Sequence, residues 1–297
     1  ALGPALLREV GDALKTEGDA LYVVVPEQLT LETLLYGLLL CSGNDAAVAL
    51  ALAHSGSVGA FVEAMNGRAR ELGLLDTHFT NPNGLDAPEH YSTARDLALL
   101  MAECMDEPVI AEIGAYSQRT VGEKLLMNHN RLINEYPGCT GGKTGYTMAA
   151  GRCLVTCAER EGTRFICVTL SDPDDWADHA ALFDYGFAHY RLYPVAEKGT
   201  KVRGELPVTG GDSEGVPLVL DGDLTLLIQK GDEQAVQLVP DLPEAVQAPV
   251  AAGEEVGGVQ VVVDGRAVAR IPVVAAREVT AKGLKNALQR VVGLWGL

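Results

Sequence analysis

Apolar residues recur at helical spacing in the stretch that begins at Thr30. Leucines occupy positions 31, 34, 35, 38, 39 and 40, and the threonine before them is a favoured N-cap residue. The run ends in the turn-forming cluster Cys41-Ser42-Gly43-Asn44, and an alanine-rich run begins at Asp45. This pattern predicts two closely packed helices, with a serine and an asparagine in the turn between them.

The same periodicity predicts further helices over residues 6–16, over residues 57–73, from Ser92-Thr93 to Met105, and from Trp176 to about Tyr190. A strand is predicted at Ala20–Val25. Residues 77–86 are rich in turn-forming side chains and predict an irregular loop. From residue 116 to residue 131 the pattern is weakly β and then polar.

Two apolar, β-prone runs, Arg152–Cys157 and Phe165–Leu170, flank a short polar connection that contains Gly162. Such a pair predicts a β-hairpin. The tripeptide Lys143-Thr144-Gly145 would then lie on a strand just before it. Helices that flank a short antiparallel sheet predict a mixed α and β domain.

The hydrophobic pattern of the sequence changes at Leu192-Tyr193-Pro194. Residues 195–277 hold short β-prone runs divided by Gly, Asp and Pro, and helical periodicity is nearly absent. This pattern predicts that residues 195–277 form a separate small β domain with the architecture of a sandwich. The β-prone runs are Leu218–Leu220, Leu224–Ile228, Val236–Val239, Val259–Val263 and Ala267–Val274.

The last stretch again has helical periodicity. Leu284, Leu288, Val291, Val292 and Trp295 fall on one face, and three basic residues lie elsewhere with no acid after Glu278. A cationic amphipathic helix with a tryptophan suits a membrane surface, and a helix docked on the β domain or on a partner is the alternative. The predicted domains are therefore residues 1–191, residues 192–277 and the amphipathic helix 278–297.

Composition narrows the function classes. The chain has 297 residues, 47% of them hydrophobic, which suits a globular protein with a sizeable core. Its net charge of −17 argues against nucleic-acid binding. The sequence shows no apolar run long enough to span a bilayer and no signal peptide, and it begins without Met, so we expect a processed product or a fragment.

Cysteine and histidine usage gives no metal signature. The six cysteines include no CxxC spacing, and the six histidines are scattered, which argues against a zinc site. His78 and His90 are expected to have structural roles in their loop. Three cysteines, Cys153, Cys157 and Cys167, fall on the predicted hairpin and leave a disulfide across it open.

Two short motifs carry candidate chemistry. Lys143 offers a positive charge, Thr144 a hydroxyl donor, and Gly145 room for a substrate beside the strand, a combination that suits anion binding. Ser42 and Asn44 are well placed to face a cleft from their turn. For the first motif the alternative is an exposed strand end with a solvated lysine, and for the second it is helix capping.

Taken together, Ser42-Gly43-Asn44 and Lys143-Thr144-Gly145 resemble the second and third signatures of the serine penicillin-recognising enzymes, whose first signature is Ser-x-x-Lys. The surrounding residues resemble the low-molecular-mass D-alanyl-D-alanine carboxypeptidases over most of residues 8–190. The stretches that carry this likeness are Leu35–Leu40, Thr77–Asp86, Tyr91–Ala98 and Lys143–Thr147.

The resemblance implies an α/β fold: a penicillin-binding-protein/β-lactamase-like transpeptidase domain with an antiparallel sheet flanked by helices, then a small all-β domain and a C-terminal amphipathic helix. One departure matters. No Ser-x-x-Lys occurs in this sequence. In the family this motif lies upstream of the Ser-Gly-Asn motif, so we expect it before Ala1 and expect the given chain to lack its nucleophile.

The mechanism that the resemblance implies is acyl transfer, in which an upstream serine attacks the bond between two D-alanines and water releases the acyl-enzyme. Ser42 would relay a proton and Asn44 would hold the substrate amide. Lys143 would add positive potential, and Thr144 would bind the substrate carboxylate beside Gly145. The N–H of Tyr146, which stands where some members carry histidine, would form half of the oxyanion hole.

The resemblance further implies a peptidoglycan stem peptide as substrate, β-lactam antibiotics as inhibitors and no cofactor. It implies export to the outer face of the cytoplasmic membrane or the cell-wall space, with the tail on the membrane surface. A catalytically inactive wall-binding or scaffolding homologue is the alternative. A β-lactamase or esterase of the same superfamily is disfavoured, because the loops resemble the carboxypeptidases.

Overall fold

A computed structural model describes residues 29–283. The chain divides into two compact units at residues 188 and 189, and each is described by itself below. The helix predicted at 6–16, the strand predicted at 20–25 and most of the amphipathic tail lie outside the described residues.

The first unit begins with two helices joined by a tight turn. Helix α1, Leu31–Cys41, is capped by Thr30, whose side-chain oxygen accepts a hydrogen bond from the Thr33 backbone N–H at 3.1 Å. Helix α2, Asn44–Ser55, begins one residue earlier than predicted. Its alanines pack against the buried Leu34, Tyr36 and Leu40 of α1 and form the core of the helical region.

The remaining helices of the first unit surround this pair and the sheet. Helix α3 is Val58–Glu71, α4 is Ala94–Asp106, α5 is Pro108–Gly114, α6 is Leu132–Glu135 and α7 is Asp175–His189. The weakly β region contains an antiparallel hairpin of β1, Gln118–Val121, and β2, Lys124–Met127. Helices α5 and α6 were not predicted.

A three-stranded antiparallel sheet forms the other half of the first unit. Its strands are β3, Cys139–Thr147, β4, Gly151–Arg160, and β5, Thr163–Thr169, in the order β3-β4-β5. The predicted hairpin is thus confirmed, and the Lys-Thr-Gly tripeptide lies on the preceding strand. In the register, Lys143 is opposite Val155 and Thr144 is opposite Leu154.

The two faces of this sheet pack on different helices. Leu154 and Ala158 join a cluster with Phe183 of α7. Val155 and Cys157 join a cluster with methionines of α4. Since side chains alternate along a strand, the register places Gly141, Lys143 and Gly145 on the α4 face, and Thr144 and Tyr146 on the α7 face.

The second unit contains only strands and one short 3₁₀ turn among its described residues after α7. The strands are β6 Tyr190–Ala196, β7 Lys201–Thr209, β8 Gly215–Leu220, β9 Leu224–Gln229, β10 Val236–Asp241, β11 Val246–Gln247, β12 Glu255–Val263 and β13 Arg266–Ala275. A six-stranded sheet has the order β10-β12-β13-β8-β7-β11, and a two-stranded ribbon pairs β6 with β9. Both contribute to one hydrophobic core that includes Val216, Val261 and Val273.

The predicted fold class, a mixed α and β domain followed by a small all-β domain, is confirmed. The possible disulfide is not formed, because Cys153, Cys157 and Cys167 are free thiols. Register explains part of this: Cys157 is opposite Ile166 and Cys167 is opposite Thr156, so these two thiols lie on opposite faces of the sheet. Within residues 29–283 no single helix is long and apolar enough to cross a bilayer; only the bent pair α2 and α3 together reaches that length and composition.

Candidate active site

The turn between α1 and α2 presents the predicted serine and asparagine. Ser42 has φ 55° and ψ 33°, a left-handed conformation that is costly for a residue with a Cβ. The Gly43 N–H donates to the Gly37 carbonyl at 3.1 Å and closes the end of α1. Ser42 does occupy the C-cap position, but Asn44 is not an N-cap, since Gly43 takes that position without a side-chain cap.

The lysine of β3 reaches this turn. The Lys143 ammonium donates a hydrogen bond to the Ser42 hydroxyl, across 101 residues of sequence, and a second one to the Thr144 carbonyl at 2.7 Å. Lys143 is half-buried. The structure therefore brings the two predicted motifs into direct contact and places a cation beside the strained serine.

Among the described residues, β3 is the edge strand of its sheet. Strand β4 pairs with one side of the β3 backbone, and no described strand pairs with the other side. A Cβ at Gly145 would meet nothing closer than Cys153 at 3.9 Å, so packing does not demand a glycine there. Tyr146 follows and is 70% exposed. This arrangement leaves room for an extended chain beside the end of β3.

A cleft of about 1480 Å³ connects these elements. Its helical wall contains Ser42 and Asn44, and its sheet wall contains Lys143, Thr144, Gly145 and Tyr146. All six predicted site residues thus line one cleft. The opposite wall comes from the loop between α3 and α4, including residues 83–88 and 90–92.

That loop is held by hydrogen bonds at Phe79 and at Asp86. Phe79 exchanges two backbone-to-side-chain bonds with Asn66 of α3, each 2.8 Å long. Closer to the cleft, the Thr147 hydroxyl at the end of β3 donates to the Asp86 carboxylate at 2.9 Å. Asp86 is therefore a cleft residue that the sequence reasoning treated only as part of a loop. The signal was its presence in a stretch that resembles the family.

A second residue missed from the sequence is His129, which lines the cleft from the turn after β2. Its backbone N–H donates to the Leu40 carbonyl at 3.1 Å, two residues before Ser42. On either side, Asn128 and Asn130 use their side chains to hold the turn, for example by accepting the Leu132 N–H on the Asn130 oxygen at 3.1 Å. The polar Asn-His-Asn cluster was the signal available.

At the far end of the cleft, Arg152 forms an ion pair with the buried Asp175 at 2.6 Å and lies over the Trp176 ring at 5.7 Å from its centroid. The hydrogen bond to this carboxylate raises the pKa of Arg152 further. The Arg152 guanidinium is thus held against the start of α7, and the Asp175 carboxylate balances its positive charge.

The two loop histidines have structural contacts, as the sequence suggested. A ring nitrogen of His78 lies 2.6 Å from the Glu89 carbonyl, and a ring nitrogen of His90 accepts the Thr80 N–H at 3.1 Å. Burial, aided by the neighbouring His78, lowers the pKa of His90, so His90 is neutral at pH 7. Across the described part of the chain, no group of three His, Cys, Asp or Glu side chains is arranged to hold a metal ion.

Comparison with known families matches both units. The model of the D-alanyl-D-alanine carboxypeptidase family matches residues 9–174. The model of the penicillin-binding protein 5 C-terminal domain matches residues 190–281.

Individual relatives agree. The D-alanyl-D-alanine carboxypeptidase DacF of Bacillus subtilis is 33% identical over 287 residues, which cover 94% of this chain and 74% of the relative. The corresponding DacA of Escherichia coli K12 is 31% identical, with 89% of this chain and 67% of the relative covered. The crystal structures of penicillin binding protein 5 from Haemophilus influenzae superpose with a TM-score of 0.75 at 31% identity, over 94% of this chain and 82% of theirs. The chain therefore belongs to the D-alanyl-D-alanine carboxypeptidase family.

Proposed function

We propose that the protein is a serine-type D-Ala-D-Ala carboxypeptidase, which removes the terminal D-alanine from peptidoglycan stem peptides. The observation that carries this proposal is the hydrogen bond from Lys143 to Ser42 in a cleft beside an edge strand. Family membership and the names of the relatives support the same reaction.

In the proposed reaction, the hydroxyl of a serine upstream of the given sequence attacks the carbonyl between the two D-alanines. The adjacent lysine of a Ser-x-x-Lys motif takes its proton. The C–N bond of the tetrahedral intermediate then breaks, and Ser42 passes a proton to the leaving amine, which departs as D-alanine. Water hydrolyses the resulting ester. Lys143 supplies positive potential at Ser42 and at the substrate carboxylate.

Binding of the substrate would use the remaining cleft residues. Asn44 would hold the amide of the penultimate residue, and the Thr144 hydroxyl would donate to the terminal carboxylate. Gly145 leaves space for the peptide to lie along β3, since no side chain projects from it. The Tyr146 N–H would complete an oxyanion hole with the N–H of the upstream serine.

The direct test uses the full-length protein, including any segment that precedes Ala1. We expect release of D-alanine from a peptide ending in D-Ala-D-Ala and a covalent benzylpenicillin adduct in the intact mass. Replacing Ser42 with alanine should abolish turnover of the peptide. A folded full-length protein that forms no adduct and releases no D-alanine would favour the second candidate, a catalytically inactive wall-binding or scaffolding homologue.

The 297-residue chain by itself should not be acylated, because it contains no Ser-x-x-Lys motif. Incubation of this chain with benzylpenicillin should leave its intact mass unchanged. An adduct would show that another residue of the cleft is the nucleophile.

We also propose that the protein acts in the cell-wall space, with residues 278–297 on the outer surface of the cytoplasmic membrane. The support is the cationic, amphipathic pattern of this tail. Flotation with vesicles that contain anionic phospholipid should recover the protein with its tail and lose it when the tail is removed. Equal recovery of both forms would contradict the anchor.

A further inference from the structure

The carboxylate of Asp86 lies at the mouth of the cleft in a fixed position. One of its oxygens accepts the Thr147 hydroxyl at 2.9 Å. The residues just before Asp86 are held by the side chain of Asn81, which accepts the Gly84 N–H at 2.7 Å and donates to the Leu85 carbonyl at 2.8 Å. Within residues 29–283 no arginine or lysine forms an ion pair with Asp86, and the side chain is exposed. An exposed carboxylate held in a fixed position by hydrogen bonds can bind a cation from solution.

The cleft carries charges of both signs at different places. Of the four Lys, Arg, Asp and Glu side chains lining it in the described part of the chain, Arg152 and Asp175 form a close ion pair with each other. Lys143 contributes positive charge beside Ser42, and Asp86 contributes negative charge from the loop between α3 and α4. His90, which also lines the cleft, is neutral at pH 7 because burial lowers its pKa, so it does not cancel the charge of Asp86.

The position of Asp86 beside β3 suits a specific peptide. In an extended peptide that lies along β3 with its terminal carboxylate at Thr144, the residue before D-Ala-D-Ala is two residues, about 7 Å, further along the strand and therefore beside Tyr146. Thr147, which binds Asp86, is the next residue of β3, and a lysine-length side chain of about 6 Å can reach that carboxylate. Its aliphatic part would have Leu85 and the exposed ring of Tyr146 available for contact, since both line the cleft.

We propose that Asp86 is a specificity-determining residue that binds the side-chain ammonium of a diamino residue directly before D-Ala-D-Ala. This inference rests on the proposed function and deepens it, because it names the chemistry of the third residue of the stem peptide. A peptide whose side-chain amine is acylated would lose the contact while keeping every interaction at the scissile bond.

The test compares two tripeptides on the full-length protein: Nα-acetyl-Lys-D-Ala-D-Ala and its Nα,Nε-diacetyl counterpart, which differ only in the side-chain ammonium. We expect kcat/KM for D-alanine release to be roughly tenfold higher for the peptide with the free ammonium. The preference should shrink at high salt, since the subsite is exposed. Asp86→Asn keeps an oxygen for Thr147 and should bring the ratio close to one, because it removes the charge that attracts the ammonium.

Glu89→Gln is the matched control, because Glu89 is an exposed carboxylate on the same loop that does not line the cleft. Its ratio should equal that of the wild type. Equal rates for the two peptides in the wild type, or a preference that survives in Asp86→Asn, would overturn the subsite while leaving the carboxypeptidase assignment intact. Hydrolysis of neither peptide by the folded protein would overturn the proposed function, and the subsite with it.

Discussion

The hydrogen bond between Lys143 and Ser42 is the smallest unit on which the proposed chemistry depends. Lys143→Met keeps the length of the side chain but removes its charge and donors, so the transition state would lose the positive potential that Lys143 supplies at Ser42. We expect kcat/KM for D-alanine release to fall roughly 10²- to 10³-fold in the full-length protein, with little change in thermal stability. Steady-state kinetics and thermal melting measure the two effects.

A control for that variant is Lys198→Met, which removes a lysine on the surface of the second unit, where it pairs with Asp221 at 2.7 Å. Its activity should equal that of the wild type. Retention of more than about a third of wild-type activity by Lys143→Met would exclude a transition-state role for this ammonium.

A different residue, His179, makes stability depend on pH. Its side chain is fully buried, with one ring nitrogen 2.6 Å from the Thr156 hydroxyl and the other 3.2 Å from the Thr169 hydroxyl. Burial lowers the pKa of His179 to about 4, against an ordinary value of 6.5. Below pH 6.5 the His179 side chain therefore binds a proton in the unfolded chain but stays neutral in the folded protein until the pH approaches 4.

The contribution of His179 is fully present above pH 6.5 and is lost as the pH falls toward 4, by about 3 kcal/mol at most. We expect His179→Gln, which can still bond both threonines, to flatten this part of the curve of unfolding free energy against pH. Urea titrations between pH 4 and 7 would measure it, with the exposed His54→Gln as a control. An unchanged slope in His179→Gln would contradict the assignment.

At this scale the sequence indicated the six site residues, because their two short motifs suit anion binding and a cleft-facing turn and, taken together, resemble the signatures of a known family. It did not indicate Asp86 or His129 as cleft residues. Both lie in polar turns, where no periodicity marks which side chain faces inward. Their positions depend on contacts across the fold, such as the bond from His129 to Leu40, that no local pattern contains.

Two of the three glycines of strand β3, Gly142 and Gly145, have opposite reasons for being glycine. A Cβ at Gly142 would lie 2.6 Å from the Val155 carbonyl oxygen and 2.8 Å from the Asn130 side-chain nitrogen. Neither neighbour can move without disturbing the β3–β4 pairing or the turn that positions His129. A Cβ at Gly145 would meet only ordinary contacts at 3.9 Å.

We therefore expect Gly142→Ala to lower the unfolding free energy of the full-length protein by about 2–4 kcal/mol. Gly145→Ala should leave stability within about 0.5 kcal/mol of the wild type, while it reduces kcat/KM by crowding the substrate. Chemical denaturation and D-alanine release distinguish the pair. Loss of stability in Gly145→Ala, without loss of activity in the protein that remains folded, would contradict the proposed substrate path.

The elements that sequence reasoning found are the long ones with clear periodicity, such as α1, α2 and the β4–β5 hairpin. It missed α5, a seven-residue helix in which only Ile113 is buried, so that no apolar stripe could appear. It also missed β7, where only Leu206 and Val208 are buried and the ladder to β8 is irregular. Short elements that bury few side chains leave little trace in a hydrophobic pattern.

At the scale of the molecule, each unit has its own hydrophobic core. Among residues 29–283, the clusters of the first unit contain no residue beyond Phe187, and the cluster of the second unit contains none before Val195. The loss of helical periodicity in the sequence predicted such a division. The predicted domain boundaries at 191 and 277 stay a prediction. A domain with its own core is expected to fold by itself.

We accordingly expect an isolated fragment of residues 189–283 to fold cooperatively, because the described side chains of its core all come from the second unit. Circular dichroism, dispersed amide resonances and a single urea transition would show it. The matched variants are Val261→Asp, at a position with no exposure, which should abolish the transition, and Val268→Asp, at a position 52% exposed, which should leave it nearly unchanged. A fragment that is unfolded at 25 °C, or equal effects of the two substitutions, would mean that the stability of the β domain depends on the rest of the chain.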